Sequence, residues 1–407
     1  MSTPVAALRP RQRLSLLPSP ATRERLIRRR VGIAWGLLVL NALTYYGSAL
    51  HIPSAVGKLI TQGALPLALI AALSVNRRFI IRPNVFLCLV SLLAAETIIT
   101  ALQPQHFGTV YRTFRFVEFL AVLWLLSPWW GRRDMLLVRC HLMSFAVALG
   151  SVVLGLLIMP GRALTGGRLS GVLWDIPATE VAHYAAIIGG VMVVLWLGGL
   201  VRGKIALLAA VAGVAMIVLS HTRTALVGMA AALLVAGLSL ITARARARRF
   251  FAVGFVVISI GIMTVAGVAT TWLARGQDTQ QLTSLTGRTD FWALVLNLPR
   301  GKFQELFGFG LSNGSINGLP IDSNWLVAYL EMGLFGVIIC VVMVLFLLVA
   351  AFFQPASTKR AVALYLITYC LVGSFTQVGF ANPTTYLLEL TLAASLIVPP
   401  VAARLSN

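Results

Sequence analysis

The stretch SHTRTALVG, residues 220–228, sets Arg223 between two apolar runs, IALLAAVAGVAMIVL before it and ALVGMAAALLVAGLSLI after it. An arginine at such a junction has two uses. Its stem can lie on apolar surface while the guanidinium reaches water, or its planar fork can hold two phosphate oxygens without ever deprotonating. LTGRTDFW, residues 285–292, offers a second such arginine. Thr286 fits an N-cap and Asp290 the first turn of a helix that runs on through Phe291 and Trp292. Arg288 would then stand at a helix N-terminus, where backbone N–H groups and the dipole also favour an anion. In GLPIDSNWLVAYLEMGLFG, residues 318–336, Asp322 precedes a long apolar run. It is either an N-cap or the carboxylate best placed for general-base work near those arginines. On helical spacing Asp322, Trp325 and Tyr329 share one face. Glu331, nine residues on, points to the opposite side and deeper. Charge inside a membrane span is a functional flag, although a structural partner within the bundle is the plainer reading of Glu331. Glu118, three residues after Arg115, reads as an internal ion pair. Glu96 and Glu389 have no partner in the sequence pattern.

The elements that must position these residues are set by composition. Of 407 residues 58% are hydrophobic and 11% charged, against about 25% charged in soluble domains. Apolar runs long enough to cross a bilayer recur along the chain. Backbone polar groups in lipid must be satisfied within their own segment, so the fold class expected is an all-α polytopic membrane protein. Twelve spans are expected, near 31–50, 55–74, 84–101, 111–128, 136–159, 181–199, 205–220, 223–242, 251–272, 322–353, 361–378 and 385–400. The formal charge of +21 would suggest nucleic acid in a soluble protein; here it sorts by loop. NRRFIIRPN, WGRRD, VRGK, ARARARRF and QPASTKR are short, basic and fall in alternate loops. The positive-inside rule therefore puts them, and both termini, in the cytoplasm. The organisation expected is a basic tail over 1–30, spans one to nine over 31–272, a large outer loop over 273–321, spans ten to twelve over 322–400, and a tail over 401–407. No cleavage site follows the arginine-rich tail, so the first span reads as retained. Cys88, Cys140, Cys340 and Cys370 lie in apolar spans without CxxC spacing and read as small core residues. The five histidines form no HxxxH or HExxH pair, so neither a metal nor a cofactor is expected.

Two outer loops are long, 160–180 and roughly 273–321. Loops of that length in a compact protein are usually functional or disordered. TDFWALVLNL has the apolar spacing of a helix lying at the outer interface. On this topology Arg112, Arg115, Arg162, Arg168, Arg275, Arg288, Arg300 and Lys302 join Arg223 on the outer face, where the positive-inside rule disfavours them. They are either headgroup anchors or a basic pocket for a lipid-linked phosphate.

With SHTRTALVG, LTGRTDFW and DSNWLVAYLEMGLFG in this order, the chain resembles the O-antigen ligase and polymerase superfamily of bacterial envelopes. GGRLSGVLWDIPATEVAHY is similar to that family's R-x-S-G segment. These segments span roughly 165–340, whereas the first 160 residues match only in hydropathy. The resemblance implies that Arg223 and Arg288 hold the diphosphate of an undecaprenyl-diphosphate-linked glycan. It aligns Asp322 with a position that is a catalytic histidine in the ligases, and an aspartate there is closer to polymerase and exopolysaccharide members. Ser323 replaces the usual asparagine, with Asn324 one residue later. The implied activity is a metal-independent, inverting glycosyl transfer to a glycan or lipid acceptor on the outer face of the cytoplasmic membrane. Arg168, Arg112, Arg115, Thr222, Thr224, Asn324, Trp325 and Glu331 are the expected supporting or substrate contacts. The rival from another class is a transporter or flippase for a lipid-linked or anionic substrate, which would carry inverted repeats and ionisable residues near the bilayer midplane. No such repeat is visible, and the polar clusters stand out at the outer boundary.

Overall fold

The structure is a computed structural model; it describes residues 20–43, 47, 52–103, 107–254, 288–312, 315–316 and 319–399. It is a bundle of α-helices: α1 (Pro20–Ala42), α2 (Ser54–Val75), α3 (Val85–Ala101), α4 (Phe107–Leu126), α5 (Asp134–Ile158), the single turn α6 (Pro160–Ala163), α7 (Ala178–Leu197), α8 (Gly203–Leu219) and α9 (Arg223–Ile241). After α9 come α10 (Arg288–Leu296), α11 (Lys302–Phe307), α12 (Asn324–Phe352), α13 (Thr358–Gly373) and α14 (Thr385–Ile397). Two-residue strands β1 (Ser315–Ile316) and β2 (Leu319–Pro320) pair antiparallel just before α12. Five helices, α2, α5, α7, α9 and α12, are long and apolar enough to cross a membrane.

These helices fall on eleven of the twelve expected stretches; the ninth, 251–272, is helical over 251–254 and otherwise lies outside the described residues. Over the first stretch the helix is described from Pro20 to Ala42, so RERLIRRR is helical; residues 44–46 and 48–50 of that stretch lie outside the described residues. Proline suits the first helical position, where its missing N–H is no loss. Glu24 then pairs with Arg28 one turn on at 3.1 Å.

The order of burial follows the sequence. Every residue of α14 is buried, and α7 is buried over most of its length. α8 by contrast buries only Ala206, Gly213 and Ile217 and leaves Leu207, Leu208 and Val211 more than half exposed. A helix that is apolar all round yet uncovered is one whose solvent is lipid. α9 packs chiefly on α13, α7 on α8, and α1 on α2. Close approach has a specific cost: a Cβ on Gly190 would lie 1.9 Å from the Tyr365 hydroxyl, which donates to the Ala186 carbonyl at 2.7 Å.

Cross-loop hydrogen bonds divide the bundle into two ends. At the end carrying the short basic loops, Arg82 donates to Trp130 O and Pro399 O, Gln354 to Ile397 O, and Lys359 to the buried Asp134 carboxylate at 2.8 Å. At the opposite end Leu169 N–H donates to Leu219 O, Asp175 N–H to Gly47 O, and Asn324 N–H to Ser374 O. Each bond joins loops that an alternating bundle puts on one side. The opposite end, which holds SHTRT and the segment before α12, is called the site end below. Of the cysteines, Cys340 and Cys370 are buried, whereas Cys88 is exposed on the flank of the bundle.

Candidate functional site at one end of the bundle

The SHTRT turn is built by α8 and α9. His221 takes a left-handed conformation, φ 51°, so the chain reverses within two residues of the α8 C-terminus. Thr222 is the N-cap of α9, but its side chain makes no capping bond. Its hydroxyl lies 3.3 Å from Ser220 O, to which it donates, and accepts from Arg168 Nη2 at 3.4 Å. Arg168 Nε also donates to Ser220 O at 3.0 Å. The first turn of α9, which opens on Arg223, is thus not capped by the Thr222 hydroxyl, and a helix N-terminus attracts an anion. Arg223 is half-buried there, and Thr222, Thr224 and Ala225 line a small cleft with Thr179, Gly373, Gln377 and Tyr386.

Tyr386 also walls a neighbouring cavity of about 170 Å³. Its other walls include Asp175, Glu180 and Tyr184 around the start of α7, Thr384 and Thr385 at the start of α14, and Ala42 and Leu43 at the end of α1. Two carboxylates, two threonine hydroxyls and two tyrosines in one concavity suit a polyhydroxylated ligand better than a purely apolar one. Larger grooves exist at the basic end, one of about 520 Å³ lined by Trp196, Arg246, Arg249 and Phe250. That groove offers guanidinium and aromatic groups but no carboxylate to accept a proton.

Asp322 is exposed at the site end and precedes the N-cap of α12, which is Ser323. Asp322 is therefore not the cap, and the helical spacing shared with Trp325 and Tyr329 does not extend to it. Asn324 is buried and structural: its Oδ1 accepts from Gly379 N–H at 3.1 Å and Phe380 N–H at 2.7 Å. With Asn324 N–H on Ser374 O, this ties the start of α12 to the α13–α14 connection that lines both cavities. Trp325 packs edge-on against Phe380, ring centres 5.9 Å apart.

Glu331 accepts from Ser312 N–H and Oγ, both at 2.8 Å, and faces Asn382 Nδ2 at 3.5 Å. It holds the end of the long loop onto α12. Gly308 and Gly333, both at positive φ, let the loop backbone approach that helix: a Cβ on Gly333 would meet Leu306 at 2.4 Å. Arg300 belongs to the same clamp. It donates to Val295 O and Tyr329 O and lies 4.1 Å over the Tyr329 ring. The long loop over 273–321 thus contains two helices and a ribbon where its residues are described. α10 packs through Val295 on Val327 and Leu330. α10 is described from Arg288 onward; Arg275, Thr286 and Gly287 lie outside the described residues.

Arg115 reaches across to the Asn41 side chain, beside the cavity-lining Ala42. The guanidinium turns toward α1, and among the described residues no contact within 4 Å joins it to Glu118, which stays near enough to act on its charge. Arg112 is half-buried on the same helix. The structure brings Arg168, Thr222, Arg223 and Thr224 together, and places Asp322 on the rim of the same end through Asn324 and Ser374.

Sequence pattern passed over Asp175, Glu180, Tyr184, Thr384, Thr385 and Tyr386, although two carboxylates five residues apart in DIPATE were a visible signal. It also gave Glu389 no partner, whereas the structure sets the buried Glu389 carboxylate 2.8 Å from His183 Nε2 and 3.8 Å from His141 Nε2. Glu96 is buried too, and neither of its carboxylate oxygens has a hydrogen-bond partner. No protein-family model matches this chain, and no curated protein is detectably similar to it in sequence.

Proposed function

We propose that the chain is a twelve-span protein of the bacterial cytoplasmic membrane, with both termini cytoplasmic, that transfers a glycan from an undecaprenyl-diphosphate carrier to a glycan or lipid acceptor at the outer face. The observation that carries this reading is the α9 N-terminus, where the Thr222 hydroxyl is turned to Ser220 O and met by Arg168 while Arg223 opens the helix. Two guanidinium groups and a helix N-terminus beside a cleft give a diphosphate what it needs. The adjoining cavity, with Asp175, Glu180 and tyrosine walls, has the polar and aromatic character of a sugar site.

In this reaction an acceptor hydroxyl attacks the anomeric carbon of the donor, and Asp322 takes the hydroxyl proton. The carbon–oxygen bond to the diphosphate breaks, and Arg223 and Arg288 stabilise the charge that grows on the leaving group. Inversion follows from a single displacement. The five basic loops at one end support the orientation, because the positive-inside rule assigns them to the cytoplasm and leaves the site end outside.

The test is purified protein supplied with undecaprenyl-diphosphate-linked glycan in the presence of a chelator, following both glycan product and released lipid diphosphate. Wild type should form both products, and Arg223→Ala, Arg288→Ala and Asp322→Asn should be folded and inactive. A transporter is a second reading, favoured by one observation: the Glu389, His183 and His141 side chains meet while buried within the bundle. Translocation of the carrier lipid without release of lipid diphosphate would establish that reading over glycosyl transfer.

A further inference from the structure

We propose that Glu389, His183 and His141 form a proton-binding site inside the bundle, filled and emptied through the cavity at the site end. Glu389 on α14 is fully buried, as are His141 on α5 and, at 2% exposure, His183 on α7. A carboxylate removed from water among apolar helices is unfavourable unless it gains a proton or a cation. Two imidazoles face the same oxygen, Oε1, at 2.8 and 3.8 Å. The thiol of Cys370 donates to the other oxygen, Oε2, at 3.2 Å. One carboxylate and two imidazoles are neutral together when they share one proton beyond the neutral rings. A second proton or none leaves a net charge in the bundle, so the cluster has a natural capacity of one.

The geometry leaves that proton able to move. All four ring nitrogens are buried; Nε2 of each approaches Glu389 Oε1, at 2.8 and 3.8 Å, without hydrogen-bond geometry, and Nδ1 of each has no hydrogen-bond partner among the described residues. Each ring therefore keeps a nitrogen not already committed to a neighbour.

The surroundings open toward one end only. Glu180 lines the site-end cavity and stands three residues before His183 on α7, one turn above it on the same face. Tyr386 also lines the cavity, and its ring centre is 4.2 Å from that of His183. On the other side the α13 groups are closed: the Tyr365 hydroxyl is held by Ala186 O, and Tyr369 stacks beside it. Tyr184 of α7 stacks on Phe145, and Trp35 of α1 meets His141 edge-on. Glu331 of α12 is turned to Ser312 and Asn382. Toward the basic end the next acid is Asp134, seven residues before His141 on α5, paired with Lys359 and separated from the cluster by buried Leu137 and Val138. A proton from cavity water would pass to the Glu180 carboxylate, then to a His183 ring nitrogen beside Glu389, with His141 as the second seat. It leaves by the reverse steps, and no electrons move.

The inference stands on this geometry under either reading of function, and its test needs no substrate. Histidine-¹⁵N-labelled protein in nanodiscs would be titrated from about pH 5 to 8, the range in which an unperturbed imidazole changes charge, and about one unit beyond. The two buried rings would be assigned from His141→Asn and His183→Asn. Expected are two ring signals that move together over the uptake of one proton, as coupled sites do. In Glu389→Gln that shared transition should vanish, and in Glu180→Gln the end points should persist with exchange slowed by about tenfold. If Glu389→Gln does not fold, His141→Asn should leave His183 titrating alone. Rings that stay neutral throughout beside a Glu389 carboxyl that stays protonated, read from its infrared band, would mean a proton held permanently and would overturn the filling and emptying of the site. A titration unchanged in Glu389→Gln would do the same, and an unchanged exchange rate in Glu180→Gln would overturn the route.

Discussion

Replacing Arg168 by alanine tests whether the 160–177 segment and the SHTRT turn are one structure. Arg168 makes two contacts there, Nε to Ser220 O at 3.0 Å and Nη2 to Thr222 Oγ1 at 3.4 Å. A hydrogen bond from a charged donor contributes roughly 1.5–3 kcal/mol when buried. The guanidinium is only half-buried and the second contact is long, so the lower bound applies and the expected loss is about 1.5 kcal/mol. The segment should stay attached, because the Leu169 N–H to Leu219 O bond at 2.9 Å is untouched. Lysine should not restore the loss, since a point charge cannot span both acceptors as the guanidinium fork does. The assay is a double-mutant cycle in detergent with Arg168→Ala, Thr222→Val and the pair, reading unfolding free energy and affinity for undecaprenyl diphosphate. Thr222→Val removes one acceptor and leaves Ser220 O in place, so a coupling of about 0.5 kcal/mol is expected. Affinity should fall about tenfold in Arg168→Ala, the equivalent of roughly 1.4 kcal/mol. Additive effects within about 0.3 kcal/mol, together with unchanged affinity, would refute the argument that Arg168 organises the α9 N-terminus.

Three further outcomes follow from other parts of the molecule. Asp322→Asn should bind the lipid diphosphate as wild type does while losing transfer by a factor of about 10² or more, as expected for a lost general base; binding and single-turnover measurements on one preparation separate the two. Gly190→Ala places a Cβ 1.9 Å from the Tyr365 hydroxyl and 2.0 Å from its ring carbon, so it should cost about 3 kcal/mol. Because the ring itself clashes, Tyr365→Phe should not rescue that variant in a thermal-shift assay, whereas a smaller side chain at 365 should do so in part. Arg300→Ala removes bonds to Val295 O and Tyr329 O and the stacking on Tyr329. Limited proteolysis should then cut between residues 297 and 312 at least tenfold faster than in wild type, with the helical core retained; equal rates would mean that the clamp through Glu331 and Ser312 holds the loop alone.

Hydropathy and loop charge made the helices legible because a span in lipid must be long, apolar and internally hydrogen-bonded. The stretches expected at 55–74, 205–220 and 223–242 lie within two residues of α2, α8 and α9 at either end. The same logic placed Arg223 at a helix start, where SHTRT is too polar for lipid and too short for anything but a turn. It did not show that helix extends upstream of the first apolar run: RERLIRRR is helical, with Glu24 paired to Arg28 one turn on. Periodicity also grouped Asp322 with Trp325 and Tyr329, an argument that fails because the helix starts only at Asn324.

The sequence by itself determined an apolar helical bundle with two unlike ends, since those follow from composition and from which loops carry charge. Only the tertiary structure decided which polar groups meet. His183 and Glu389 lie 206 residues apart in the chain yet 2.8 Å apart in space. Arg168 reaches Ser220 and Thr222 only because the segment before α7 folds over the end of α8. Helix period says which face a residue occupies, but which helix lies opposite depends on packing among surfaces that are all apolar. That choice is made by close contacts such as Gly190 on Tyr365 and leaves no local pattern for a reader of the sequence to find.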